Sequence, residues 1–224
     1  MLNPVDTSVW TRRDCIAGLV YCVAAGVGGV AGTARAAIPH KILVLGDSLS
    51  AEYGLARGAG WVALMEARLT TEKIAASVVN ASISGDTTSG GRSRIGALLA
   101  QHRPTHVVVE LGGNDALRGL PLKSSQNNLA AIAQAAKAAS AKVLVVGMQV
   151  PPNYGGAYAR DFAAMFAQVA KSEGAALVPF LLTGVADDPD PVRWFQADRI
   201  HPNAAAHPRI LDNVWLVLQP WLKS

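Results

Sequence analysis

The sequence predicts an α/β protein, a three-layer α/β/α sandwich around a parallel sheet of five strands. Short, nearly continuous apolar runs rich in β-branched residues, typical of strands buried on both faces, alternate with longer alanine-rich stretches of helical period. Strands separated by helices of this length form parallel βαβ crossovers that place helices on both faces of the sheet. The predicted strands are residues 42–45, 78–81, 107–111, 143–147 and 177–180, and the predicted helices are residues 61–69, 92–101, 127–139, 157–172 and about 206–218.

Length and composition bound the class of protein. A chain of 224 residues fits one domain with a sizeable core. Half of the residues are hydrophobic and 16% are charged, which excludes a disordered chain. The net charge of +4 is scattered without a dense basic cluster, so we expect no nucleic-acid partner. Both cysteines, Cys15 and Cys22, lie near the N-terminus, so the rest of the chain has no thiol or disulfide.

The first 36 residues read as a signal peptide rather than as part of the fold. Arg12 and Arg13 precede an uncharged apolar run over residues 16–32, and Ala34-Arg35-Ala36 has the small-x-small pattern of a cleavage site. Cleavage after Ala36 would leave residues 37–224 as the folded domain. The alternative is a retained membrane anchor, although the run is at the short limit of a bilayer span. We expect a periplasmic or secreted protein without stable membrane insertion once the signal is removed.

Four short blocks carry the polar residues of greatest chemical interest. The first three follow the first three predicted strands, and the carboxyl ends of parallel strands are where open α/β sheets bind ligands. The fourth lies in a loop before the last helix. The blocks are Gly46-Asp47-Ser48-Leu49-Ser50, Gly85-Asp86, Gly112-Gly113-Asn114-Asp115 and Asp198-Arg199-Ile200-His201-Pro202.

Ser48 is the candidate nucleophile of this set. A serine hydroxyl needs a base within hydrogen-bond reach, and His201 is the candidate base. Asp198 stands three residues before His201, a spacing that suits one turn in which the carboxylate accepts the Nδ1 proton and leaves Nε2 for Ser48. The alternative is that Asp47 or Ser48 only caps the following helix.

Gly85 and Asn114 are the candidate partners of the Ser48 backbone N–H in an oxyanion hole. A tetrahedral intermediate needs donors aimed at the charge that develops on oxygen. Glycine allows close approach of its backbone N–H, and asparagine offers a side-chain amide. Taken singly, Gly85 could serve only a turn and Asn114 could be an ordinary loop residue.

The remaining acidic residues and histidines suggest supporting roles. Asp47, Asp86 and Asp115 are interpreted as helix caps and hydrogen-bond acceptors behind the site. A metal site built from them is poorly supported, because no His/Glu cluster accompanies them, and the chemistry requires neither metal nor cofactor. Surface or packing roles are assigned to His40, His102, His106 and His207.

The four blocks with their neighbours resemble the SGNH (GDSL) hydrolases, and within them the periplasmic multifunctional esterases of bacteria. The resemblance spans Lys41 to Trp221. It is carried by ILVLGDSLSA (42–51), VNASISGDT (79–87), VELGGND (109–115) and PNYG (152–155).

The resemblance implies a flavodoxin-like sheet and hydrolysis of acyl esters and thioesters through an acyl-enzyme, without a cofactor. Aryl esters, lysophospholipids and acyl-thioesters are the implied substrates. It assigns Ser48 as nucleophile, Asp198 and His201 to the triad, and Gly85 and Asn114 to the oxyanion hole.

Two residues depart from the family pattern. Arg199 replaces the glycine usual between the triad Asp and His, and we expect it to perturb the turn if a positive φ is needed there. Glu52 replaces a small residue, and we expect it to crowd or charge the acyl entrance.

The leucines directly after Asn114 are candidate substrate contacts. Leu117, Leu120 and Leu122 would let the loop over residues 116–122 cover an acyl chain. Two other functions stay open: a carbohydrate O-acetylesterase, and a non-catalytic lipid- or glycan-binding protein, against which the intact Ser48, Asp198 and His201 argue. We expect a monomer.

Overall fold

The computed structural model describes residues 39–223, so the signal peptide expected over residues 1–36 lies outside the described part of the chain. The strands are β1 (His40–Gly46), β2 (Ala76–Asn80), β3 (His106–Glu110), β4 (Lys142–Val146) and β5 (Ala176–Val178). The α-helices are α1 (Trp61–Thr71), α2 (Thr88–His102), α3 (Gly113–Leu117), α4 (Leu122–Ala138), α5 (Gly156–Glu173) and α6 (His207–Leu222). Short 3₁₀ helices cover Pro152–Tyr154, Pro191–Trp194 and Ala204–Ala206.

The five strands form one parallel sheet in the order β2-β1-β3-β4-β5. Helices α1 and α6 pack together, and α2, α4 and α5 pack side by side, so that the sheet has helices on both sides. The predicted three-layer α/β/α fold with a five-stranded parallel sheet is therefore confirmed. Because β1 and β3 are adjacent at the centre of the sheet, the loops that follow them meet at its carboxyl edge.

The core lies between the sheet and its two helical layers. Trp61 of α1 and Phe162 and Phe166 of α5 are fully buried, and the two phenylalanine rings meet edge to face with centroids 5.2 Å apart. Gly91 in α2 has a packing reason: a Cβ there would clash with the Leu111 side chain. The absence of that Cβ lets α2 lie close to the sheet.

All five strands begin one or two residues earlier than predicted, and the two edge strands of the sheet illustrate the difference. β2 covers Ala76–Asn80 instead of residues 78–81, and β5 covers Ala176–Val178 instead of residues 177–180. β5 ends where it does because Pro179 has no N–H to continue the ladder.

Two helices begin four or five residues earlier than predicted. α2 starts at Thr88 rather than at residue 92, and the Thr87 side chain caps it by accepting a hydrogen bond from the Gly90 N–H. α4 starts at Leu122 rather than at residue 127. The short helix α3, which carries Asn114, was not predicted because five residues are too few to show a helical period.

His207 joins the two helices of one layer. Its buried ring accepts a hydrogen bond from the Trp61 N–H at 3.0 Å and so caps α1, which has no side-chain cap of its own at Gly60. Burial lowers the pKa of His207, which favours the neutral ring that this acceptor role requires. His207 is therefore buried, as its predicted packing role implies, and its ring also caps α1.

Within residues 39–223, none of the helices combines the length and the apolar character needed to span a bilayer.

Candidate active site

Ser48 lies two residues beyond the end of β1, in a series of turns rather than at a helix N-terminus. The Asp47 carboxylate accepts a hydrogen bond from the Leu49 N–H at 3.1 Å and thereby closes the first of these turns. The next helix begins only at Trp61. The alternative in which Ser48 caps a helix is therefore wrong, and its hydroxyl is left for another partner.

That partner is His201. The Ser48 hydroxyl lies 2.9 Å from His201 Nε2, and His201 Nδ1 lies 2.6 Å from the Asp198 carboxylate. Since a carboxylate can only accept, Nδ1 carries the ring proton and donates it to Asp198. Nε2 is then the acceptor that faces Ser48, the arrangement that a general base requires.

Asp198 uses its second carboxylate oxygen to form the turn itself. This oxygen accepts hydrogen bonds from the backbone N–H groups of Ile200 at 2.9 Å and His201 at 3.0 Å. The His201 backbone N–H, the His201 ring and the Ile200 N–H together lower the pKa of Asp198 to about 2. Asp198 is therefore a carboxylate over the whole range in which hydrolysis is measured.

Arg199 stands between them with a φ of +57°, in the left-handed region where glycine is usual. The turn between Asp198 and His201 therefore does need a positive φ at Arg199, the condition under which we expected this residue to perturb it. The turn nevertheless closes: the Arg199 N–H donates to the Gln196 carbonyl at 2.9 Å, and the Gln196 N–H donates to the His201 carbonyl at 2.8 Å. The strain remains local, and the hydrogen bonds of Ser48, His201 and Asp198 form in its presence.

Replacing Arg199 by glycine should stabilise the fold slightly. Left-handed backbone costs a non-glycine residue about 1 kcal/mol, and the greater unfolded-state freedom of glycine offsets roughly half of that gain. We expect the free energy of unfolding, measured in urea, to rise by roughly 0.5 kcal/mol. Arg160→Gly is the matched control, because Arg160 is exposed within α5 and its replacement should lower stability by about 1 kcal/mol. Loss of stability in both variants would contradict the assignment of strain.

The Glu52 side chain folds onto the loop before α1. Its carboxylate accepts hydrogen bonds from the backbone N–H groups of Gly58 at 3.0 Å and Gly60 at 2.8 Å. These contacts bind the Glu52 carboxylate to that loop, and its expected effect on an acyl entrance stays a prediction.

Gly85 follows β2 in a loop attached to the nucleophile segment. Its φ is +80°, so a side chain at this position would be strained. The Ile83 N–H donates to the carbonyl of Gly46, two residues before Ser48, at 3.0 Å. This bond anchors the Gly85 loop to the end of β1.

Asn114 lies in α3, just beyond β3. Its side-chain amide donates one hydrogen bond to Asp47 at 3.0 Å. The second N–H of that amide has no partner among the hydrogen bonds of residues 39–223. The hydrogen bond to Asp47 thus connects Asn114 to the residue that precedes Ser48.

Two arginines that sequence reasoning missed hold the Gly85 loop. Arg118 donates to the Gly85 carbonyl at 2.8 Å. Arg94 of α2 binds the Asp86 carboxylate at 2.8 Å and also donates to the carbonyls of Ala81 and Gly46. These contacts join distant segments of the chain, so no local pattern indicates them.

Tyr53 was missed as well. Its ring lies against the His201 ring, with centroids 4.3 Å apart and planes tilted by 38°, and its side chain is half exposed. The Tyr53 carbonyl accepts a hydrogen bond from the Gln196 amide at 2.9 Å. Tyr53 therefore restricts one face of the imidazole.

The three leucines after Asn114 divide into two kinds. Leu117, at the end of α3, and Leu120 are exposed. Leu122 is the first residue of α4 and packs against the hydrophobic core. Of the three candidates for acyl contact, Leu117 and Leu120 have exposed side chains that a substrate can reach, while part of the Leu122 side chain is buried against the core.

The acidic residues near this edge act as hydrogen-bond acceptors. Asp115 is buried and accepts from the Thr88 N–H at 2.9 Å, the Thr88 hydroxyl at 2.5 Å and the Ser125 hydroxyl at 2.9 Å. It thereby joins the start of α2 to α4. In the described part of the chain, no group of three or more His, Cys, Asp or Glu residues is arranged to hold a metal ion.

Comparison with known proteins gives consistent matches. The model of the GDSL-like lipase/acylhydrolase family matches residues 44–209. The Pseudomonas aeruginosa protein named Esterase TesA is 52% identical over 186 residues, covering 83% of this chain and 91% of that protein. The Escherichia coli K12 protein named thioesterase 1/protease 1/lysophospholipase L1 is 44% identical over 188 residues, covering 84% and 88%. The crystal structure of the psychrotrophic esterase EstA from Pseudoalteromonas sp. matches with a TM-score of 0.77 at 40% identity, covering 83% of this chain and 100% of that one.

Proposed function

Because this chain belongs to the GDSL-like lipase/acylhydrolase family, we propose that it hydrolyses acyl esters and thioesters with Ser48 as nucleophile. The observation that carries the proposal is the continuous hydrogen-bonded series from Ser48 through His201 to Asp198. Its relatives are named esterase, thioesterase, lysophospholipase and arylesterase. Aryl esters, acyl-thioesters and lysophospholipids are accordingly the proposed substrates.

The proposed mechanism uses only side chains and backbone groups of this chain. His201 Nε2 takes the hydroxyl proton as Ser48 attacks the acyl carbonyl, and Asp198 stabilises the imidazolium that forms. The backbone N–H groups of Ser48 and Gly85 and the free N–H of the Asn114 amide bind the oxyanion. His201 then gives its proton to the leaving group. Water, activated by the same imidazole, hydrolyses the acyl-enzyme.

We also propose where the enzyme acts. Residues 1–36 are assigned to a signal peptide cleaved after Ala36, which leaves residues 37–224 as a monomeric hydrolase domain in the periplasm or outside the cell. The basic pair Arg12-Arg13, the uncharged run and the small-x-small site support this assignment.

Two rival functions make different predictions. A carbohydrate O-acetylesterase would hydrolyse acetyl groups and reject longer acyl chains. A non-catalytic binding protein would show no Ser48-dependent hydrolysis, and binding alone does not require the Ser48–His201–Asp198 hydrogen bonds. The exposed Leu117 and Leu120 favour substrates with longer acyl chains.

An acyl-length series tests the proposal. The purified protein is assayed with aryl esters from acetyl to octanoyl, an acyl-thioester and a lysophospholipid. We expect activity on medium chains, and we expect Leu117→Ala to lower kcat/KM for octanoyl relative to acetyl esters by about three- to tenfold, because apolar contact is lost.

Leu216→Ala is the matched control, because Leu216 is an exposed leucine of α6 in the opposite helical layer. It should leave the ratio of octanoyl to acetyl activity unchanged. Activity restricted to acetyl groups would favour the carbohydrate enzyme. Equal losses of acetyl and octanoyl activity in Leu117→Ala would contradict the acyl-contact role of Leu117.

A further inference from the structure

Two carboxyl groups lie buried together directly behind Ser48. Asp47 precedes the serine and is 2% exposed, and Glu110 ends β3 and is fully buried. The Asp47 backbone N–H donates to Glu110 Oε2 at 3.3 Å, so the two residues are direct neighbours, and the charge of Asp47 raises the pKa of Glu110. Two adjacent carboxylates in such a site repel each other and lack hydration, so one of the two should hold a proton.

The hydrogen-bond donors around the pair indicate which one is ionised. Asp47 receives one donor on each oxygen, the Leu49 N–H at 3.1 Å and the Asn114 amide at 3.0 Å. Glu110 receives both of its donors on the same oxygen, from the Ser50 hydroxyl at 2.7 Å and the Asp47 N–H at 3.3 Å. The other oxygen, Oε1 of Glu110, is buried and accepts no hydrogen bond from any group in the described part of the chain.

The charged groups around the pair give the same assignment. Whenever the His201 ring is protonated, its positive charge lowers the pKa of Asp47 and so favours the anionic form of that carboxyl. Arg94, the cation that reaches this edge from α2, is occupied by the Asp86 carboxylate and by the carbonyls of Ala81 and Gly46. A buried oxygen without a donor is costly as an anion but is satisfied as a hydroxyl that donates.

We propose that Glu110 is a positioning residue: it is a neutral carboxylic acid whose Oε1–H donates to the Asp47 carboxylate, which in turn holds the Asn114 amide for the oxyanion. Burial, and then the charge of Asp47, raise the pKa of Glu110 well above its usual value. Burial also raises the pKa of Asp47, but the Leu49 N–H, the Asn114 amide and His201 all oppose that shift.

The consequence for catalysis rests on the proposed function and concerns the direction of the second N–H bond of the Asn114 amide. With Glu110 neutral, Asp47 fixes one N–H of Asn114 and leaves the other free for the oxyanion. Ionisation of Glu110 would place a second negative charge against Asp47, and the repulsion would displace the Asp47 carboxylate from the position in which it holds Asn114. Such a change weakens a contact made mainly in the transition state, so kcat should fall while KM stays nearly constant.

Two substitutions of Glu110 separate positioning from simple packing. In Glu110→Gln the amide oxygen accepts from Ser50 and the amide N–H donates to Asp47, as the neutral acid does, so we expect kcat within about threefold of wild type. Glu110→Leu keeps the bulk without polar atoms, and kcat should fall about tenfold or more at nearly constant KM. Wild-type kcat should decline at alkaline pH as Glu110 ionises, and Glu110→Gln should lack this decline.

Two spectroscopic measurements decide the proposal without turnover. Infrared spectra at neutral pH should show a protonated carboxyl band that Glu110→Gln lacks and that the control Glu66→Gln, changed on the exposed face of α1, retains. The NMR signals of the Asn114 side-chain amide should be kept in Glu110→Gln and shifted in Glu110→Leu.

A wild-type protein without the protonated carboxyl band would overturn the proposal. So would a Glu110→Gln variant as impaired as Glu110→Leu, or one with the wild-type alkaline decline. Failure of the proposed function is distinguishable from these results, because neither spectroscopic measurement needs turnover. Even in a protein that hydrolyses no ester, the carboxyl band and the Asn114 signals would report whether Glu110 is protonated and holds Asp47.

Discussion

Ser48→Ala should lower kcat for ester hydrolysis by on the order of 10⁴-fold or more while the fold remains intact. Among residues 39–223 the Ser48 hydroxyl makes its hydrogen bond with His201 alone, and the loss of a partly exposed hydroxyl removes no core packing. What remains in the variant is the oxyanion hole and substrate binding, which by themselves accelerate hydrolysis weakly. Initial rates with an aryl ester, beside circular dichroism spectra of the same samples, measure the effect.

Ser89→Ala is the matched control, because Ser89 is an exposed serine in the first turn of α2. It should keep the wild-type rate. A Ser48→Ala variant that retains more than about a hundredth of the wild-type kcat would mean that another group attacks the substrate.

The central part of the fold was predictable because its strands are buried on both faces. In β1, β3 and β4 nearly every residue is fully buried, and such strands read as continuous apolar runs. The edge strands β2 and β5 are only partly buried, so their ends follow local chemistry such as Pro179 rather than the apolar pattern.

The helix ends were less predictable, since tertiary contacts override local propensity there. Gly90 and Gly91 have low helix propensity, so the sequence does not indicate the first turn of α2. Gly91 is nevertheless needed there, because a larger residue would clash with Leu111. α6 runs through Pro220 to Leu222, beyond the expected end near residue 218. A proline normally predicts the end of a helix, but here the apolar face of α6 stays packed on the core.

In the candidate site, the groups proposed to react could be predicted and the groups that hold them could not. Ser48 and His201 were identifiable because few residue types perform their chemistry and each follows a recognisable block. Tyr53, Arg94 and Glu110 act through contacts across the fold, and their residue types have many common uses. Only the geometry relates the free oxygen of Glu110 to the amide of Asn114.

Asp198→Asn should lower kcat by about 10⁴-fold through the wrong tautomer of His201 rather than through loss of structure. The asparagine oxygen can still accept from the N–H groups of Ile200 and His201, so the turn should persist. The new amide N–H, however, would face His201 Nδ1, which must then accept a hydrogen bond and give up its proton. Nε2 would carry the proton instead and could not take one from Ser48. Steady-state kinetics and thermal melting of the same variant separate the two effects.

Asp188→Asn is the control that makes this result specific. Asp188 also accepts from a backbone N–H two residues ahead, that of Asp190 at 2.9 Å, and it pairs with Arg193 in the loop before the site. Asp188 shares with Asp198 the hydrogen bond from the N–H two residues ahead, and none of the hydrogen bonds within residues 39–223 joins it to His201, so its replacement should leave kcat near the wild-type value. If Asp198→Asn kept most of its kcat, orientation of His201 by a carboxylate would be dispensable. If instead Asp198→Asn melted far below wild type, the main role of the carboxylate would be to stabilise the turn rather than to orient His201.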